Sequence, residues 1–323
     1  MTASPPAMLR FGSLHGRCHS ARQEYTDALA LVFGVGLHPL THDADCARQF
    51  ELSIERSAVP ERGAVTTGRH VSHLTLGGTS RQPTIATDVL RAELELERQP
   101  VQIRIFVLAD PVPFDALCVH FVAVIHKILS HLDRVILHAA AVELDGEVSI
   151  FMGDKGAGKS TTCLALARSG ATVLGEDQLI LRRVDDRYLV SGGDERSRVT
   201  AETERHFFAE PLAVPARDFA GTMKKEVRMG DFFRSAPFRD FTAHRLVFPM
   251  VTGRFDLRRL KARPALLRVM GYNAHFQRFA GAKDQGGFLD FLAGFIETVT
   301  CWELSLSHDL TDLDQLANRL RSG

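Results

Sequence analysis

A glycine-rich segment with one lysine and one hydroxyl residue carries the clearest chemistry in this sequence. Residues 153–160, GDKGAGKS, match the phosphate-loop pattern G-x-x-x-x-G-K-[ST]. Glycines allow successive backbone N–H groups to point at a phosphate without interference from a Cβ atom. In this pattern Lys159 reaches the β- and γ-phosphates, and the Ser160 hydroxyl binds Mg²⁺. The segment therefore predicts a binding site for ATP and Mg²⁺.

A phosphate loop needs a strand before it and a helix after it, and the sequence supplies both. Residues 148–152 are apolar and predict a buried strand, and residues 159–169 predict a helix that ends at Gly170. The N-terminus of such a helix stabilises a bound anion. The predicted nucleotide-binding residues are Gly153, Asp154, Lys155, Gly156, Ala157, Gly158, Lys159, Ser160 and Thr161.

The strand before the loop is predicted to be the second strand of a hairpin. Residues 135–142 form an apolar run that predicts a buried strand, and Asp145-Gly146 is a typical hairpin turn. This order differs from a plain βαβ unit, in which the loop follows the first strand. Histidine at position 138 lies on the first of these strands, where a lone histidine is usually a core residue.

Two adjacent acids, Glu176 and Asp177, follow the predicted loop helix at the end of a short apolar strand. One carboxylate at such a position can bind Mg²⁺, and the other can accept the proton of an acceptor hydroxyl during phosphoryl transfer. Two solvated acids at a strand end are the alternative interpretation. The acids favour a kinase over other proteins that contain phosphate loops.

The segments 138–142 (HAAAV), 153–160 (GDKGAGKS) and 174–177 (LGED) together resemble the core of HPr kinase/phosphorylase and its relatives. Those enzymes share the nucleotide-binding fold of phosphoenolpyruvate carboxykinase, and the resemblance covers about residues 131–183. It implies that Lys159 binds phosphates, that Glu176 is the base, and that Ser160 and Asp177 bind Mg²⁺, while His138 orients the site. The predicted catalytic residues are Glu176, Asp177, His138 and Lys159.

The sequence also departs from the HPr enzymes. Glu176 stands where they have aspartate, and their later glycine-rich and basic signatures for HPr docking and phosphorolysis are not found. Divergent relatives act on peptides, such as lasso peptides, or on small molecules. The predicted function is therefore an ATP- and Mg²⁺-dependent kinase for a small-molecule, peptide or protein hydroxyl. A regulatory ATPase without an acceptor and a shikimate-kinase-like enzyme are the alternatives.

The predicted fold class is α/β, with two domains. Residues 131–323 are expected to form a phosphate-loop domain of the HPr kinase C-terminal type. Residues 1–130 are expected to form a β-rich, antiparallel N-terminal module, because residues 93–97 and 101–107 alternate apolar and polar side chains. Residues 114–131 predict an amphipathic helix. Residues 192–229 are predicted to be a polar loop region facing the acceptor, with Arg196, Arg198, Lys224 and Lys225, and Thr311 is predicted to cap a final helix.

Composition narrows the choice of partners and compartment. Lys plus Arg and Asp plus Glu each number 39 among the 323 residues, so the formal net charge is zero. This balance gives no general attraction to nucleic acid or to anionic membranes. The five cysteines are scattered without a C-x-x-C pair, and no signal peptide is recognised. We predict a cytoplasmic protein that binds neither nucleic acid nor membrane, and whether it forms a homo-oligomer stays open.

Overall fold

The computed structural model describes residues 7–11, 14–20, 38–39, 49–56, 69–71, 74–109, 112–192, 196–218, 221–274 and 282–322, together with residues 22, 25 and 29. The described residues up to Arg134 form one compact unit, and those from Val135 onward form a second. The described part is a mixed α/β structure with three sheets. No helix within these ranges combines the length and the apolar character needed to cross a bilayer.

The first unit is built on a nine-stranded sheet. Its strands are β1 Ala7–Phe11, β2 Leu14–Ser20, β3 His38–Pro39, β4 Phe50–Arg56, β5 Arg69–Val71, β6 Leu74–Gly78, β7 Pro83–Ala86, β8 Leu90–Glu95 and β9 Val101–Val107. They lie in the order β3-β1-β2-β4-β9-β8-β7-β6-β5. Alternate residues of β8 and β9 are buried, as the sequence pattern predicts.

The prediction of a wholly antiparallel sheet is wrong in one region of this unit. Strand β4 runs parallel to both β2 and β9, whereas the other neighbours are antiparallel. Parallel neighbours require a long crossover in the chain, which the alternation within one strand does not reveal. The helix predicted at 114–131 is confirmed as α1, Phe114–His131, and it contacts β7 and β8.

The second unit contains the remaining strands. These are β10 Arg134–Leu137, β11 Ala139–Leu144, β12 Glu147–Met152, β13 Thr172–Gly175, β14 Leu179–Val184, β15 Arg187–Gly192, β16 Arg196–Val199, β17 Ala216–Asp218, β18 Met223–Arg228, β19 Phe241–Val251, β20 Asp256–Arg259 and β21 Thr300–Leu306. The main sheet has the order β10-β14-β15-β19-β12-β11-β13, and β21 pairs with β19 and β20. Strands β16, β18 and β17 form a separate sheet, called the small sheet below.

The helices of the second unit lie on both faces of its main sheet. They are α2 Lys159–Arg168, α3 Ala201–Phe207, α4 Ala262–Tyr272, α5 Ala282–Thr298 and α6 Leu316–Ser322, with 3-10 helices at Met229–Asp231 and Leu310–Gln315. One buried cluster joins Phe151 of β12 to α2 and α6, and another joins Ile150 of β12 to α4 and α5. Strand β12 is therefore buried from Val148 to Met152, because both of its faces are covered.

The hairpin predicted before the loop is confirmed. Strands β11 and β12 are antiparallel, and Asp145 and Gly146 between them have φ angles of 55° and 86°. On its other edge, β11 also pairs with β13, which ends just before Glu176. Strand β11 therefore lies between β12, which leads into the predicted phosphate loop, and β13, which leads into the acid pair.

Three local predictions are corrected by the structure. His138 lies at a bend between β10 and β11, because the apolar run forms two strands instead of one. Residues 192–229 contain the small sheet and α3, where short strands of mixed charge hide their pairing pattern. The Asp309 side chain, and not Thr311, caps the last segment, accepting a hydrogen bond of 3.0 Å from the Thr311 N–H.

The end of β15 approaches β13 closely at Gly192. A Cβ atom on Gly192 would lie 1.7 Å from the carbonyl oxygen of Leu174, a backbone atom that cannot rotate away. We expect Gly192→Ala to lower the free energy of unfolding by several kcal/mol. Gly271→Ala is the control: a Cβ there meets nothing within 4 Å, and alanine favours the helical conformation. Urea unfolding of both variants measures the difference, and equal stabilities would contradict this packing.

Candidate functional site

The second unit contains a cavity of about 540 Å³ at the end of β12. It is enclosed by the loop at residues 153–158, the start of α2, the residues after β13, and the small sheet with α3. The lining residues are His138, Lys155, Gly156, Gly158, Lys159, Ser160, Thr161, Glu176, Asp177, Arg198, Thr200, Glu202, Thr203, Lys224 and Leu310. The cavity therefore brings together the residues that the sequence singled out on three separate segments.

The loop turns into α2 at Gly158, whose φ of 98° is in the left-handed region. This φ favours glycine, and a Cβ atom at Gly158 would also lie 2.4 Å from Cδ1 of Leu306, whose side chain would have to shift. Helix α2 starts without a capping side chain, and its first turn contains no acid. Its first N–H groups are thus available to an anion in the cavity.

Lys159 is held inside the loop. Its Nζ atom donates hydrogen bonds to the carbonyl oxygens of Gly153 at 2.7 Å and Asp154 at 3.1 Å. Burial lowers the pKa of Lys159, while the charges of Asp177, Asp154 and Glu176 oppose this shift. The loop carbonyls therefore keep an ammonium group at the floor of the cavity. The Ala157 N–H also donates a hydrogen bond of 3.1 Å to the backbone carbonyl oxygen of Asp154, and this bond closes the turn.

Glu176 is the buried acid of the site, with 4% of its surface exposed. Its Oε2 atom accepts a hydrogen bond of 2.9 Å from the Ser197 hydroxyl. Burial raises the pKa of Glu176 to about 7, although the hydroxyls of Ser160 and Ser197 act to lower it. The Ser160 hydroxyl faces the carboxylate without a well-formed hydrogen bond, and Oε1 has no partner among the described residues.

Asp177 is the exposed acid. Its φ of 64° turns the chain at the end of β13, so that Glu176 and Asp177 both line the cavity instead of pointing to opposite faces. The Asp177 Oδ2 atom accepts a hydrogen bond of 3.0 Å from Nη1 of Arg198. The side chains of this ion pair are about half exposed, at 50% and 43%.

His138 contacts the backbone of the acid pair. Its Nδ1 atom lies 3.1 Å from the carbonyl oxygen of Asp177, and its own N–H donates to the side-chain oxygen of buried Asn273 at 3.1 Å. Burial and the charge of Lys159 lower the pKa of His138, and this favours the neutral ring. The charge of Asp177 and the hydrogen bond to its backbone oppose this shift. A neutral ring with a proton on Nδ1 can donate to that carbonyl and hold the turn.

Two side chains of the cavity have the chemistry to hold a divalent cation together with a phosphate group. Glu176 and Ser160 offer oxygen atoms, and Mg²⁺ is usually held by one or two protein ligands together with phosphate oxygens. The described residues contain no group of three or more His, Cys, Asp or Glu side chains arranged to hold a metal unaided. The Oε1 atom of Glu176 has no hydrogen-bond partner among the described residues and is the oxygen that such a cation would contact.

The predicted acceptor-facing segment divides into residues that line the cavity and residues that hold the small sheet together. Arg198 and Lys224 line the cavity. Arg196 is paired with Glu226 at 3.5 Å, and Lys225 is paired with Glu204 at 2.8 Å. Ser197, Thr200, Glu202 and Thr203 are site residues that the sequence analysis missed, because no spacing rule links them to the loop.

No protein-family model matches the chain, and no curated protein matches it. A solved structure of the Hpr(Ser) kinase/phosphatase from Coxiella burnetii is similar to it, with 12% sequence identity and a TM-score of 0.29. That alignment covers 58% of this chain and 98% of the other. We therefore take the function from the cavity itself.

The raised pKa of Glu176 predicts a pH-dependent stability. Between the ordinary value of 4.5 and about 7, the folded protein keeps a proton that the unfolded chain has lost. The contribution of Glu176 to the free energy of unfolding should therefore fall as pH rises through this window, by roughly 3 kcal/mol at most. The lowered pKa values of His120 and His138 act in the opposite direction, so the contribution is measured as the difference between wild type and variant. Glu176→Gln should remove this contribution, whereas Glu202→Gln, an exposed acid of the same cavity, should keep it. Urea unfolding at pH 5 and pH 8 tests this; the same slope in wild type and Glu176→Gln would contradict it.

Proposed function

We propose that this protein is an ATP- and Mg²⁺-dependent kinase that phosphorylates a hydroxyl group on a peptide, a protein or a small molecule. One observation carries the proposal: a single cavity contains Lys159 and Ser160 at the start of α2 together with the two acids Glu176 and Asp177. Cation, hydroxyl and carboxylates are the groups that phosphoryl transfer needs. We propose the second unit as the catalytic domain and the first as a substrate-related module.

In this proposal the roles of the two acids are the reverse of those that the family resemblance implied. Glu176 is buried beside Ser160, so these two residues would hold Mg²⁺, which would neutralise charge on the phosphate oxygens. Asp177 is exposed at the mouth of the cavity and can reach an incoming hydroxyl. Lys159 would bind the phosphates after leaving the loop carbonyls.

Asp177 is the proposed base. The acceptor oxygen attacks the γ-phosphorus and forms a new P–O bond, and its proton passes to the Asp177 carboxylate. The bond from the γ-phosphorus to the bridging oxygen breaks, and its electron pair leaves with ADP. His138 is a positioning residue in this scheme, because it contacts the Asp177 carbonyl and not the carboxylate.

The alternatives make different predictions. The β11–β12 hairpin argues against a shikimate-kinase-like arrangement. A regulatory ATPase would bind and hydrolyse ATP without phosphorylating any acceptor. Labelled ATP incubated with a peptide and metabolite extract, followed by mass spectrometry, separates this alternative from a kinase.

Lys159→Ala should abolish nucleotide binding. The variant removes the ammonium group from the loop, so we expect the MgATP affinity to fall by about a hundredfold or more while the circular dichroism spectrum stays unchanged. Lys261→Ala, which removes an exposed lysine outside the cavity, should bind MgATP normally. Isothermal titration calorimetry measures both affinities. An unchanged affinity in Lys159→Ala would rule out the loop as the phosphate site.

The two acids can be separated by their response to Mg²⁺. Asp177→Asn should lower turnover by about a hundredfold or more without a loss of MgATP affinity, because the base is lost. Glu176→Gln should instead raise the Mg²⁺ concentration needed for half-maximal nucleotide binding. Turnover and nucleotide affinity are measured against Mg²⁺ for both variants. The opposite pattern would restore the roles implied by the resemblance, and full activity in both would refute the kinase proposal.

A further inference from the structure

Strand β16 of the small sheet contacts both acids with consecutive residues. Ser197 donates a hydrogen bond to Glu176, and Arg198 forms the ion pair with Asp177. Arg198 also donates from Nε to Glu226 of β18 at 3.3 Å. The small sheet therefore forms the cavity wall nearest to the acids, and its position is coupled to theirs.

Lys224 extends this wall on β18. It is half-buried and lines the cavity, and it has neither a hydrogen bond nor an ion pair among the residues that the structure describes. Its neighbour Lys225 is by contrast held by Glu204 and by the Leu212 carbonyl, both at 2.8 Å. Burial is the main cause of the lowered pKa of Lys159, and the charge of Lys224 adds to it. The ammonium groups of Lys159 and Lys224 therefore both contribute positive charge to this cavity.

A cation without an ion-pair partner, beside a second cation in a partly buried cavity, is stabilised by a bound anion, even though the carboxylates of Glu176, Asp177 and Glu202 also line this cavity. In the proposed function, Lys159 and the N-terminus of α2 bind the phosphates of the nucleotide from the loop side of the cavity. Lys224 lines the same cavity from β18 of the small sheet, so an anion bound at the loop lies in the space that both lysines line. Arg198 can join it cheaply, because an exposed ion pair such as Arg198–Asp177 contributes about 1 kcal/mol or less.

We propose that Lys224 and Arg198 bind the γ-phosphate of the nucleotide from the small sheet, while Lys159 binds it from the loop, and that they hold the phosphoryl group as it is transferred. This inference rests on the proposed kinase function and adds two catalytic residues to it. Arg198 leaves Asp177 when the γ-phosphate arrives, which frees the carboxylate to accept the proton of the hydroxyl. One movement therefore connects nucleotide binding to the availability of the base.

The test compares two nucleotides that differ at the γ-phosphate. Isothermal titration calorimetry measures MgADP and the Mg²⁺ complex of a non-hydrolysable ATP analogue with an imido β,γ-bridge. In Lys224→Met and in Arg198→Met, affinity for the analogue should fall by about tenfold or more, whereas affinity for MgADP should change by less than about threefold. Arg217→Met is the control, since Arg217 lies opposite Lys224 on β17, exposed and outside the cavity lining.

Unchanged affinity for the analogue in Lys224→Met, or an equal loss for both nucleotides, would overturn the inference. A loss in the Arg217→Met control as large as that in Lys224→Met would also overturn it, because a general effect of charge would then explain the result. Failure of the wild-type protein to bind either nucleotide would instead refute the proposed function. Thermal unfolding of each variant confirms that any loss occurs in folded protein.

Discussion

The rest of the site depends on the burial of the Glu176 carboxylate. It lies at the end of β13, and hydroxyls from two other segments face it, Ser160 from the start of α2 and Ser197 from the small sheet. Removing an ionised carboxylate from water is costly unless a cation or several hydrogen bonds compensate. With one oxygen bonded and one orphaned, Glu176 is only partly compensated. A divalent cation at this point would stabilise the fold and, in the proposed function, would also contact the nucleotide.

Strand pairing explains how residues distant in sequence meet at this carboxylate. Strand β11 pairs with β12 on one edge and with β13 on the other. The loop that follows β12 and the acids that follow β13 therefore emerge at the same end of the sheet. The start of β11 lies at this end too, which places His138 beside the Asp177 carbonyl. The close approach of Gly192 to Leu174 fixes β15 against the strand that carries the acids.

The sequence predicted those parts of the structure that depend on local patterns. The glycine-rich loop, its helix, the β11–β12 hairpin and α1 follow from short-range spacing, and their positions are confirmed. The small sheet was missed because β16, β17 and β18 are three to six residues long and rich in charge. The parallel pairing of β4 was missed because the alternation of apolar and polar residues within a strand does not show which strands pair with it or in which direction. The geometry of the acid pair depends on the left-handed φ of Asp177. This backbone conformation cannot be predicted from the presence of an aspartate alone.

The central claim is that Ser160 and Glu176 hold a divalent cation on a nucleotide bound by the loop. The most direct measurement is a crystal structure with Mn²⁺ and the non-hydrolysable ATP analogue, examined by anomalous scattering from the metal. We expect one strong peak at roughly 2 Å from the Ser160 hydroxyl and from a carboxylate oxygen of Glu176, with the phosphates over residues 153–160. A metal bound by Asp177 without Glu176, or a nucleotide placed outside this cavity, would contradict it.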